Sequence, residues 1–429
     1  MALALGAGWF GGITRGADLT LHVAATALAL WLARPRAVSR RTFPLLPLVL
    51  AISVLGLAHA LAALLIPGPF AEVAELPSPG LEARPWEPTV RAAAAWIRFG
   101  VLLTVGWLIG RHRRQRRWLT AAIGAVAAFQ VLYGMPRWFA ASSEIWGRSV
   151  AGDGSRLRGT FVNPDHFALF VAMAAAVVFA STWAIARNTR FGPLDQRIVV
   201  LVGPIALWTV LFVAVAFSGS RAGLAALLAA TLAQGFLIGR RRILHRLVGL
   251  AAIGLGLAVV ARIGLRQGLG RLLGTSAHEL TINARLEAAK AGFELWLESP
   301  WFGVGLGGFR ATFPSVQPQS LSGAWRHVHN DWLELLICTG IVGVLVLAVG
   351  VGASIRSLLR CGIPERSEDR AALVAAVGVL VVCGLHELLD FGLTMPANQL
   401  LLATALGAGV AALADHRQPE PEVLAEASD

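Results

Sequence analysis

The chain has little charge. Of its 429 residues 14% are Asp, Glu, Lys or Arg, while 56% are hydrophobic. A soluble protein carries about 25% charged residues, so a soluble globular fold is excluded. Lysine is almost missing. Lys290 is the only one, and arginine supplies the rest of the positive charge behind the net +12. The basic clusters sit between apolar runs, which argues against nucleic acid as a partner. Cysteine is scarce as well. Cys338 and Cys383 lie in apolar runs and Cys361 lies in a basic loop, so neither a disulfide framework nor a thiolate metal centre is expected. No cleavable leader stands out, because residues 1–12 are apolar but short, glycine-rich and without a basic start. There is no tandem repeat, no HExxH and no acidic pair at metal spacing. No metal and no cofactor are expected.

What remains is apolar and long. Spans are predicted near 19–33, 43–66, 91–110, 118–135, 164–186, 198–217, 222–239, 247–264, 331–355, 371–390 and 397–414. Each approaches or exceeds the roughly 20 residues that cross a bilayer as a helix. The expected fold is all-α, a polytopic transmembrane bundle of about 11–12 helices. Five arginine-rich loops alternate with the spans. They carry Arg34, Arg36, Arg40 and Arg41; Arg111, Arg113, Arg114, Arg116 and Arg117; Arg187, Arg190 and Arg197; Arg240, Arg241, Arg242 and Arg246; and Arg356, Arg360, Arg366 and Arg370. All five fall on one side, which the positive-inside rule makes cytoplasmic. Eleven spans with a cytoplasmic C-terminus put the N-terminus outside, an arrangement that suggests a missing first helix or a start site assigned too far downstream. Residues 1–414 form the membrane domain and 415–429 an acidic, disordered cytoplasmic tail.

The longer loops lie opposite, at about 67–90, 136–163 and 265–330. The first holds Glu72, Glu75, Glu82 and Glu87 among prolines. In the third, Ser276 to Glu279 has capping-box spacing. Leu286, Ala289, Phe293 and Trp296 then recur at helical spacing up to Ser299-Pro300, which predicts an amphipathic helix lying on the membrane surface or over a cavity.

The most informative stretch runs from His327 to Gly343. Histidines, an amide and acids occupy the point where a polar loop enters an apolar span. Ionisable groups at that depth are usually kept for a task. His329 is a candidate general base, since a neutral imidazole accepts a proton from a hydroxyl. Its rival reading is a helix-start histidine with Asn330 or Asp331 capping, and His327 competes for the same role. Gly340 and Gly343 follow 11 and 14 residues later, so a continuous helix puts all three on one stripe. Along such a helix His327 and His329 point to different sides. Arg221, in Ser218-Gly219-Ser220-Arg221-Ala222-Gly223, joins two spans with almost no loop. It reads either as a snorkelling interfacial arginine or as a planar fork suited to a diphosphate, with small neighbours leaving room for the anion. Arg285 is a solvated helix residue when taken alone, and a candidate through its company. Asn163-Pro164-Asp165-His166 is first a helix start. With Arg156, Arg158 and His166 gathered there, the loop is also suited to an anionic headgroup. Gly303 to Gly308 satisfies GxGxxG, but no βαβ unit surrounds it, and a tight turn re-entering the membrane edge is expected. His386, Glu387 and Asp390 either couple to the site or satisfy one another, and the second is expected.

These motifs resemble the O-antigen ligase and polysaccharide polymerase superfamily of bacterial inner-membrane glycosyltransferases, over residues from about 40 to 410. His329-Asn330, nine residues, Gly340, two residues and Gly343 fits its ligase-type pattern. Ser-Arg-Ala-Gly around Arg221, the Arg285 helix with its following glycines, and Arg158 to His166 fit as well. The resemblance implies metal-independent, inverting transfer of a glycan from undecaprenyl diphosphate, with the active site on the periplasmic face of the inner membrane. The acceptor would be a lipid A core sugar or another lipid-linked repeat. It implies Arg221 and Arg285 on the diphosphate and His329 as base, with Arg158, Asn163, His166, His327 and Asn330 binding substrate. A transporter or flippase has the same composition but predicts charges along a path near mid-span. The notable charges here gather at one face. A purely structural scaffold leaves that gathering unexplained.

Overall fold

The computed structural model describes residues 44–65, 87–150, 154–238, 282–360 and 364–415. The expected spans at 19–33 and 247–264, the capping box at Ser276, the first and fourth arginine clusters, Glu72, Glu75, Glu82 and the tail beyond Asp415 lie outside these residues.

The described elements, in order, are α1 (Leu46–Leu65), α2 (Glu87–Gly110), α3 (Arg113–Phe139), a hairpin of β1 (Glu144–Ile145) and β2 (Arg148–Ser149), α4 (Pro164–Asn188), α5 (Leu194–Phe217), α6 (Arg221–Ile238), α7 (Ile282–Glu298), the single turn α8 (Phe309–Thr312), α9 (Asp331–Leu359), α10 (Ser367–His386) and α11 (Pro396–Asp415). Eight of these helices are long and apolar enough to cross a membrane. The protein is a polytopic α-helical membrane protein, and the nine expected spans within the described residues each coincide with a helix.

α4 and α11 form the centre. Phe167 to Ala176 of α4 has no exposed residue, because its side chains are apolar all round and many are alanines that admit close neighbours. α11 packs most extensively on α2. A Cβ at Gly106 would stand 2.6 Å from the Thr404 Cα, so the two backbones meet there directly. α5 turns Ile198, Val199, Val202 and Ile205 outward, as a lipid-facing helix does.

Polar latches gather the described arginine loops at one end. Arg116 donates to the Gly110 carbonyl and pairs with Asp369, and Arg117 pairs with Glu368. Ser367 bonds Asn188, and Arg370 donates to the Leu237 carbonyl at 2.7 Å. The Arg116 and Asp369 side chains are each only 7% exposed. Removing one member of a buried pair strands the other and costs about 3–5 kcal/mol. Asp369→Ala is therefore expected to lower the melting temperature in detergent by on the order of 10 °C. A shift within experimental error would show that this latch does not hold the bundle.

Candidate active site

The opposite end holds the candidate residues. α9 begins at Asp331, capped by the Asn330 side chain, which accepts from the Leu333 N–H at 3.0 Å. Asn330 thus does the work of a cap. His329 precedes the helix, with φ at 58°. That left-handed geometry costs a non-glycine residue roughly 1–2 kcal/mol and turns the imidazole inward against the start of the bundle.

The continuous stripe through His329, Gly340 and Gly343 does not form. His329 is outside the helix, and Gly340 breaks it with φ 62° and ψ −173°. A turn fills the break. Val304 and Gly305 donate to the Ile337 and Cys338 carbonyls at 2.9 and 3.0 Å. Ile341 and Val342 donate to the Pro300 and Trp301 carbonyls at 2.9 and 3.0 Å. Every backbone group freed by the kink that these four bonds engage is paired, as an apolar environment demands. A Cβ on Gly340 would overlap the Trp301 carbonyl, and one on Gly303 would overlap the Ile337 carbonyl. Gly303 to Gly308 is therefore the tight turn expected of it. Gly343 lies against Thr339 and Leu55.

The connection between α10 and α11 is sewn to the start of α9. The Asp331 N–H donates to the Glu387 and Asp390 carbonyls at 3.0 and 3.2 Å. Its carboxylate accepts from the Leu393 N–H at 3.1 Å. This places Phe391 among three imidazoles. His327 stacks on the ring at 4.4 Å and 16°; His329 and His166 meet its edge at 4.6 and 4.7 Å. Trp325 closes on His329 from another side at 5.4 Å. The two histidines of the His-Val-His run, read as diverging along a helix, both touch one ring because neither is helical.

Each of these two histidines has an acid. His327 Nδ1 is 2.8 Å from Glu334 Oε1, and the Val328 N–H donates to the other Glu334 oxygen at 3.1 Å. His329 Nδ1 faces Asp390 at 3.6 Å. Asp390 is 1% exposed, and neither of its oxygens has a hydrogen-bond partner among the described residues. Burial opposes its charge, but the facing His329 ring, the His166 and His386 rings and the Arg285 guanidinium together hold it well below the usual carboxylate range. The expected self-contained trio is corrected here. His386 and Glu387 do pair, at 3.1 Å, but Asp390 turns to His329.

The arginines join the same neighbourhood through Asp165. Asn163 caps α4 by accepting from the Asp165 N–H at 2.8 Å, and its amide nitrogen lies 3.4 Å from His166 Nε2. The Asp165 carboxylate holds Arg156 at 2.7 Å and approaches Arg285 at 4.0 Å. Arg285 also donates to the Leu389 carbonyl, next to Asp390. Arg156 donates through Nε to the Ser218 carbonyl at 2.6 Å, three residues before Arg221, and its side chain packs on Gly219. The room expected for an anion beside Gly219 is thus shared with Arg156. Arg221 opens α6 and is exposed. The loop from 154 to 163 is fixed from behind by buried Gln130, which bonds Thr160 through both amide atoms at 2.9 and 2.8 Å. Arg158 donates to the Val162 carbonyl at 3.4 Å and lines a narrow cleft with Arg137, Glu144 and Arg156.

Among the described residues no group of three or more His, Cys, Asp or Glu is arranged to hold a metal ion. The chemistry available is an imidazole with a carboxylate behind it, beside guanidinium groups at the rim of a membrane bundle. The family model for O-antigen ligase matches residues 205–348. That match supports the O-antigen ligase and polysaccharide polymerase superfamily, and with it glycosyl transfer as the general class of activity. It covers Arg221, Arg285, His327, His329 and Asn330, but not Arg158, Asn163, His166 or Asp390. No curated protein matches the chain.

Proposed function

We propose that the protein transfers a glycan from undecaprenyl diphosphate to an acceptor sugar hydroxyl, with inversion and without a metal, at the periplasmic face of a bacterial inner membrane. The observation that carries this reading is the His329–Asp390 pair, held beside Arg285 at one end of the bundle. With Nδ1 turned to Asp390, the imidazole keeps its proton on that side and offers Nε2 as acceptor. The acceptor oxygen forms its bond to the anomeric carbon as Nε2 takes the hydroxyl proton. The bond from that carbon to the diphosphate oxygen breaks, and undecaprenyl diphosphate leaves with the added negative charge. Arg221 and Arg285 bind that leaving group and stabilise its charge in a water-poor site. Arg158, Asn163, His166, His327 and Asn330 shape the surrounding surface for substrate. The acceptor is a lipid A core sugar or a second lipid-linked repeat. The arginine-rich end is cytoplasmic by charge bias, and residues 265–330 form the large periplasmic loop.

Purified protein in nanodiscs, given undecaprenyl-diphosphate glycan and acceptor, is expected to release undecaprenyl diphosphate. Arg285→Ala and Arg221→Ala should each lower kcat by about 10²–10³-fold, the loss seen when one charge-stabilising donor is removed. Movement of intact donor across vesicles without cleavage would overturn the reading in favour of a transporter.

A further inference from the structure

α7 buries a face of mostly small residues. Ala288, Ala291, Gly292 and Leu295 point inward, and a Cβ at Gly292 would crowd Ile337 and Val328 at 2.9 and 3.0 Å. The large apolar side chains are outside: Leu286 is 53% exposed, Phe293 45% and Leu297 56%. At 100° per residue these three fall within one sector of about 40°. The stripe runs on into the turn after α7, where Trp301 and Phe302 are 64% and 70% exposed. Exposed Lys290, Glu294 and Glu298 lie along one flank of the stripe.

The depth of this turn follows from its bonds. Its backbone pairs with Ile337, Cys338, Ile341 and Val342 inside α9, a helix able to cross a membrane. Arg356 is the first charged residue toward the other end of that helix. Counting back the roughly 20 residues that span the hydrocarbon reaches Leu336. The turn therefore sits at, or just inside, the hydrocarbon edge. Leu345, Val349 and Ile355 of α9 itself are exposed as well, as on a lipid-facing helix. A Trp-Phe pair at that level suits the acyl chain–headgroup boundary.

We propose that the Pro300–Gly303 turn is re-entrant and that, with the Leu286–Phe293–Leu297 stripe, it is seated among the acyl chains of the surrounding bilayer. The loop that delivers Arg285 is thereby moored in the membrane at its C-terminal end rather than standing in solvent.

The test uses nitroxide labels at Phe302→Cys and Leu297→Cys, with Glu294→Cys as the control. A Cys361→Ala background suits this, because Cys338 and Cys383 are buried. The full chain is placed in nanodiscs of phosphatidylethanolamine and phosphatidylglycerol. Collision with oxygen should exceed collision with a water-soluble nickel chelate several-fold at 297 and 302, and the order should reverse at 294. A chelate-dominated label at 302 and 297 overturns the proposal. So does a label reached by neither reagent, which would mean that protein covers the surface. Leu297 carries the test if Phe302→Cys fails to fold.

Discussion

His329→Ala is expected to lower kcat for glycan transfer by about 10²–10⁴-fold, the usual contribution of a positioned general base. The donor KM should change little, because the group lost acts on the proton of the acceptor. Removing the ring leaves the buried Asp390 carboxylate facing the His166 and His386 rings and Arg285, so some stability is lost but folding should survive. Asp390→Asn isolates the positioning part of the same pair. The amide keeps the shape and removes the charge that steadies an imidazolium, so kcat should fall with donor KM again unchanged. The sign of its pH behaviour is set by burial against its cationic neighbours, which leave the Asp390 carboxyl lowered. A carboxyl with a depressed folded value contributes stability above its unfolded value near pH 4 and loses it only as pH falls through the lowered one. The wild-type advantage over Asp390→Asn should therefore fade in acid, below about pH 4, and the acid limb of the activity profile should shift. Full activity in His329→Ala, measured by release of undecaprenyl diphosphate, would remove the base assignment.

Gly340→Ala is the second large effect. Its φ and ψ of 62° and −173° lie in a region reserved for glycine, worth about 1–3 kcal/mol to any other residue. The new methyl would also collide with the Trp301 carbonyl, so the turn must leave the break. Four backbone groups, the Ile337 and Cys338 carbonyls and the Ile341 and Val342 amides, would then lose their partners at about 1–3 kcal/mol each. Together these approach the 5–15 kcal/mol that holds a typical domain. The variant is expected not to accumulate as a monodisperse species in size-exclusion chromatography. If it elutes and melts like wild type, the turn does not depend on the break.

Hydropathy was enough for the spans, because length and apolar content act over twenty residues and tolerate local error. The cap of α4 was legible too, since Asn163-Pro164 is a local signal. The break at Gly340 was hidden: apolar residues continue on both sides of it, and no pattern distinguishes a glycine that permits packing from one that reverses the chain. The amphipathic character of α7 was legible, but its facing was left open between membrane surface and cavity. Ala288, Ala291 and Gly292 face protein, and Leu286 and Phe293 face out. Where the surroundings are apolar, close approach and not hydrophobicity selects the inner face. His329 and Arg221 were visible as misplaced polar groups. Asp390 was visible as well, but its partner was not, and Phe391 gave no signal, because both meet His329 from some 60 residues away through bonds that Asp331 makes to their loop.

Phe391 is a common reference for His166, His327 and His329. Three rings from two distant chain segments take their positions from a fourth, so their errors are shared. Perturbations that reach the ring from α4 should register at His329. Variants at His166 and His329 would then combine non-additively in a double-mutant cycle, and replacing Phe391 by alanine should shrink the coupling to the part both histidines exert through Asp390.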